Sequence, residues 1–110
     1  MTLQEKLLKL FDRLVLVTNN IYHYKRPENV QTPFIVWAED GEDGSFHAGN
    51  RKEELRLHGT IDLFTQTEFD AMADWIQDAL NGIENCGWTL QAVQYEDETG
   101  LIHYTYEWWW

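Results

Sequence analysis

The segment Glu54-Leu-Arg-Leu-His-Gly-Thr-Ile-Asp-Leu63 alternates apolar and polar side chains along its length. Leu55, Leu57, Ile61 and Leu63 fall on one parity, and Glu54, Arg56, His58, Thr60 and Asp62 on the other. Successive side chains of a strand point to opposite faces, so the pattern specifies a strand with one buried and one polar face. Such a strand needs a sheet to lie in and a layer to cover it. Gly59 interrupts the run and predicts a bulge or a close approach of another backbone.

Two helical stretches can supply the cover. Thr2-Leu-Gln-Glu5 has the spacing of a capping box, in which the Thr hydroxyl and the Glu carboxylate each satisfy an orphan amide. Leu3, Leu7, Leu10, Phe11 and Leu14 then recur at helical spacing, with Lys6, Lys9, Asp12 and Arg13 opposite. This helix is expected to reach about Val17 and stop at Thr18-Asn19-Asn20. Its apolar stripe is either core or a subunit contact. Thr67, with Asp70 three residues on, predicts the cap of a second helix. Phe69, Met72, Trp75, Ile76, Ala79 and Leu80 form the expected buried stripe, ended by Asn81-Gly82.

The remaining strands follow from short aromatic and β-branched runs. Ile21 to Tyr24 reads as a short strand, and Pro33 opens another over Phe34 to Glu39. Asp40-Gly-Glu-Asp-Gly44, continuing through Gly49-Asn50-Arg51-Lys52, predicts a polar loop that makes a long, flexible hairpin arm. A closing hairpin pairs Trp88–Tyr95 with the segment from Leu101 onward, around the turn Glu96–Gly100. The order α-β-β-β-α-β-β implies one α+β domain over residues 1–110, a mostly antiparallel sheet with two helices packed on it. Tyr104-Thr-Tyr-Glu-Trp-Trp-Trp110 is heavily aromatic, and Ile102, Tyr104, Tyr106, Trp108 and Trp110 share a face. Either this strand is central and covered by helix, or its end packs on a neighbouring subunit. Trp108 and Trp110 are therefore candidate subunit contacts, as are Arg51 and Lys52 on the arm.

Charge divides the chain in two. Every Lys and Arg lies in the first 56 residues, while residues 57–110 carry ten acidic side chains and no base. At a net charge of −11, the chain repels phosphate and is a poor candidate for specific nucleic-acid binding. Three readings remain open: a solubilising surface, a docking face for a basic partner, or a wall that DNA passes without sticking. Asp40, Glu42, Asp43, Asp70, Asp74 and Asp78 are the candidate acidic surface. The four-residue spacing of the last three would also suit an acidic DNA mimic or inhibitor that binds a basic host partner.

No chemistry-bearing constellation stands out. His23, His47, His58 and His103 lack paired metal-ligand spacing, and Glu39–Asp43 lacks the alternating oxygen ligands of a calcium loop. There is no phosphate-binding glycine loop and no nucleophile with an evident base. Cys86 is a lone thiol of structural character. Catalytic residues, metal ligands and cofactors are therefore not expected. The charged start Met1-Thr-Leu-Gln-Glu-Lys6 lacks the apolar core of a signal peptide, and the longest apolar run, Phe34–Ala38, is too short to span a bilayer. A soluble protein of the cytosol, or of an assembly, is expected, with no membrane partner.

Three stretches together resemble the small tail terminator proteins (tail completion, or head–tail joining) of long-tailed bacteriophages and prophages. They are Thr32-Pro-Phe-Ile-Val-Trp37, then Leu57-His-Gly-Thr-Ile-Asp-Leu-Phe-Thr65 leading into Glu68-Phe69, and Gln94-Tyr-Glu-Asp-Glu-Thr-Gly-Leu-Ile-His-Tyr104. The likeness spans nearly the whole chain as a pattern rather than a strict motif, and the terminal Trp triplet lies outside it. It implies a homo-oligomeric ring, commonly of six subunits, in the virion neck and assembled in the host cytoplasm. Such a ring caps the tail tube, docks the head connector and lets DNA through. The family brings no catalytic residues.

Overall fold

The computed structural model describes the backbone of residues 1–48 and 51–110, and the side chains of residues 1–42 and 55–110. The elements run α1 (Leu3–Leu14), β1 (Ile21–His23), β2 (Phe34–Ala48), β3 (Arg51–Thr65), α2 (Ala71–Asn81), β4 (Gly87–Glu96) and β5 (Leu101–Trp109). The five strands form one sheet in the order β1-β2-β3-β5-β4. Only β1–β2 is parallel; the other three pairs are antiparallel, as the α+β reading requires.

The alternating segment does what its pattern demands. Leu57, Ile61 and Leu63 are buried beneath the helices, together with Ile35 and Trp37 of β2 and Tyr106 and Trp108 of β5. Facing the sheet are Leu7, Leu10 and Leu14 of α1, and Met72, Ala73, Ile76 and Leu80 of α2. Asp62, Thr105 and His103 lie on the opposite, polar face. There, His103 Nε2 donates to Asp62 at 2.7 Å and the Thr105 hydroxyl donates to the same oxygen at 3.1 Å.

Gly59 marks a close approach, not a bulge of its own strand. A Cβ there would lie 2.1 Å from the Ala38 carbonyl oxygen and 2.5 Å from the Trp108 ring. The bulge sits opposite, in β2, where the register slips between Glu39 and Gly41. Strand β5 is central, between β3 and β4. Trp108 is fully buried and Trp110 is 7% exposed, so both rings are committed to the chain's own core. As candidate subunit contacts, Trp108 and Trp110 thus have little surface left to offer a neighbour.

Several local expectations are corrected. Helix α1 has the capping box, with Thr2 Oγ1 accepting from Glu5 N at 3.1 Å, but it ends at Leu14 and not near Val17. Lys6, expected on the polar face, is 9% exposed: its stem packs inward and its amine meets main-chain oxygens at the sheet. Helix α2 is capped by Asp70, not Thr67. Asp70 Oδ1 accepts from Met72 N at 2.9 Å, and the buried Thr65 hydroxyl donates to its other oxygen at 2.7 Å. Phe69 therefore precedes the helix, at φ +56°, and is 95% exposed; Trp75 is half exposed. Neither belongs to the buried stripe.

The expected loop at residues 40–52 is also revised. Strand pairing continues to Ala48↔Arg51, with register shifts between Glu39/Gly41, Glu42/Ser45 and Phe46/His47. Asp and Gly are absorbed as bulges: Gly41 takes φ +155°, a conformation that L side chains rarely adopt. Beyond Leu57, which exchanges main-chain hydrogen bonds with Trp110, β3 pairs only with β2 among the described residues. The result is a two-stranded ribbon of roughly 20–25 Å, at ~3.3 Å per residue. The molecule measures 53 × 25 × 24 Å.

Candidate assembly surfaces

The ribbon is the first candidate. A two-stranded hairpin on its own is marginally stable in water, because it lacks a third strand. Asp40, at its base, is exposed and lies 4.0 Å from His58 Nδ1. Glu42 is exposed as well. The side chains of Asp43, Arg51 and Lys52 fall outside the described residues; their backbones lie within β2 and β3.

The acidic row on α2 is shorter than its spacing suggests. Asp74 and Asp78 are exposed on the helix, but Asp70 is its cap, with both carboxylate oxygens engaged. Four-residue spacing alone did not reveal this, since Asp is both a helix residue and a favoured cap.

A cluster that sequence reasoning missed stands where α1 meets the β1 edge of the sheet. The parallel pairing sets His23 beside Trp37, and their rings stack at 4.0 Å. Tyr24, at φ +78°, turns back to stack on the other side of His23 at 3.7 Å. Glu39 closes the cluster, accepting from His23 Nε2 at 2.7 Å and from the Tyr24 hydroxyl. Burial works to raise the Glu39 carboxyl, yet the hydrogen bonds from Tyr24, His23 and the backbone, together with the His23 charge, hold the group below its ordinary value. The same hydrogen bond pushes the Tyr24 hydroxyl upward. Leu7, Leu8 and Phe11 complete a groove of about 280 Å³. Trp37 Nε1 is buried and has no hydrogen-bond partner among the described residues. Aromatic residues before and after Pro27 and Pro33 were the available signal; the parallel register that joins them was not readable.

Cys86 is half-buried, and burial pushes its thiol up to about 11. A thiol so protonated at neutral pH is a weak nucleophile, which agrees with a structural role. The sheet edge formed by β4 leaves Leu90, Val93 and Tyr95 exposed. No family model matches the chain, and no curated protein does.

Proposed function

We propose that the chain is a structural neck protein of the tail terminator kind. In this role its copies close a ring that caps a phage tail tube, meets the head connector and passes DNA through an acidic channel. The observation that carries this reading is the ribbon reaching beyond the sheet. A marginal two-stranded arm gains most by lying on a neighbour, and ring closure needs a protruding patch that differs from the one receiving it. The separation of charge adds support, because an acidic lumen repels phosphate where Lys and Arg would bind it. The three-stretch resemblance and the α+β order point the same way. An acidic DNA mimic draws less support, since the cap role of Asp70 interrupts the helical row of carboxylates.

The test is assembly. Arg51→Glu with Lys52→Glu is expected to leave the monomer folded, which circular dichroism checks. It is expected to abolish rings seen by electron microscopy with tail tubes, and to leave heads and tails unjoined in a complemented phage. Joined particles made without the chain, or equally well with the double variant, would count against the reading.

A further inference from the structure

The groove where α1 meets β1 is lined by one carboxylate and by no Lys or Arg. Each oxygen of that carboxylate, Glu39, already has one donor: Oε1 accepts from His23 Nε2 at 2.7 Å, and Oε2 from the Tyr24 hydroxyl. A carboxylate offers about four acceptor positions, so roughly half of them stay open. The Glu39 side chain is 18% exposed, enough for the donors of a ligand to reach it. Tyr24 is a neutral donor. With His23 neutral, no cation among the lining residues offsets the charge of Glu39.

The walls suit the body of a cation as well as its charge. Tyr24 stacks on His23 with ring centroids 3.7 Å apart, yet it is 60% exposed, so ring surface remains on which a planar cation can stack. Leu8 and Phe11, 61% and 37% exposed, offer apolar contact to an aliphatic stem. At about 280 Å³ the groove falls below the ~300–1,000 Å³ of pockets for whole drug-sized molecules. Its size is that of one long side chain.

From this we infer that the groove receives an arginine side chain of a basic protein partner. A guanidinium is planar, stacks on aromatic faces and is more weakly hydrated than an ammonium, so it gives up water for such a wall more readily than Lys does. Its fork of donors meets the open acceptor positions of Glu39, while its stem lies along Leu8 and Phe11. The net charge of −11 selects the partner, since it steers a basic protein in and opposes a second copy of this chain. The inference stands apart from the ring, because it uses neither the arm nor the acidic channel.

The probe is the blocked peptide acetyl-Gly-Arg-Gly-amide, titrated at low salt into isotope-labelled chain and followed by nuclear magnetic resonance. Saturable shifts of the Trp37 indole and of the His23 and Tyr24 amides are expected at millimolar peptide, with none along β4. The citrulline peptide, alike in shape but uncharged, should bind ~10-fold more weakly or worse, and the lysine peptide several-fold more weakly. Glu39→Gln should weaken the arginine peptide by a similar ~10-fold. Because that change is also expected to loosen the corner, the exposed Leu8 supplies an independent pair of variants. Leu8→Glu should tighten binding several-fold and Leu8→Lys should weaken it, both with wild-type circular dichroism. Free arginine binding more tightly than the blocked peptide would assign the groove to a small metabolite and overturn the protein partner. No saturable shift at the groove, equal binding of the citrulline or lysine peptide, or Leu8 variants that bind alike would overturn the inference.

Discussion

The Lys6 amine donates to two main-chain oxygens far apart in sequence, Leu55 O at 2.7 Å and Trp110 O at 3.0 Å, and lies 5.3 Å from the Trp110 ring centroid. One side chain of α1 thereby ties the root of the ribbon to the end of the central strand. Lys6→Met keeps the apolar stem and removes the donor. It is expected to lower stability by ~1–3 kcal/mol, the usual range when charge-assisted hydrogen bonds are lost. Urea unfolding should show a lower midpoint with an unchanged slope.

Gly59→Ala should be among the most damaging single substitutions of a small residue in the chain. The added carbon meets a backbone oxygen at 2.1 Å and a fully buried indole at 2.5 Å, neither of which is the loose end of a flexible side chain. A cost of ~3 kcal/mol or more is expected, at the upper end for overpacking. Gly100→Ala makes the useful contrast. It meets nothing within 4 Å but sits at φ +70°, so its cost should be only ~1–2 kcal/mol, from the left-handed backbone alone. Thermal unfolding of the two variants separates steric from conformational strain.

The α2 cap offers a second paired comparison. Asp70→Ala removes the acceptor for Met72 N and takes away the acceptor for the buried Thr65 hydroxyl proton, so a loss of ~1–2 kcal/mol is expected. Thr67→Ala should change stability by less than ~0.5 kcal/mol, because Thr67 contributes its backbone amide, to Thr65 Oγ1, and not its side chain. Equal losses in chemical denaturation would contradict this assignment of the cap.

Glu39 makes the stability of the α1–β1 corner depend on pH. Its folded carboxyl lies below the unfolded value, so its contribution is complete above the ordinary carboxylate range near pH ~4.3 and disappears as pH falls through the lower, folded value. Tyr24 has the opposite sign: its contribution is complete below about pH 10 and is lost above that. Glu39→Gln should therefore be less stable than wild type at pH 7, with the difference shrinking in acid. A difference that is constant from pH 7 to pH 3 would exclude the ionised form as the stabilising one.

The elements that could be read from sequence were those whose periodicity is enforced by burial. The Leu55–Leu63 alternation, the Leu7–Leu10–Leu14 stripe and the Tyr106–Trp108–Trp110 row each map onto the single core. Gly59 was readable as a close approach because nothing larger fits beneath Trp108. What escaped was set by tertiary partners. Thr67 and Asp70 are both good caps, and the choice fell to Asp70 because the buried Thr65 hydroxyl needs an acceptor. Lys6 reads as a surface charge until the sheet supplies two carbonyls. The Gly- and Asp-rich ribbon reads as loop because bulged strands tolerate residues that regular ones disfavour. The acidic surface was legible as composition, while its division between cap and solvent was not.

The insertion of β5 between β3 and β4 has a kinetic consequence. Its ladder with β3 joins segments far apart along the chain, so the sheet cannot be completed by local hairpins alone. Loop-closure entropy must be met before those contacts return any free energy, so the β3–β5 ladder is expected to form after the β2–β3 and β4–β5 hairpins. Until β5 docks, β3 lacks one neighbour and the Trp108 niche above Gly59 stands open. The interval before that event is when the nascent protein is most exposed to pairing with the wrong strand.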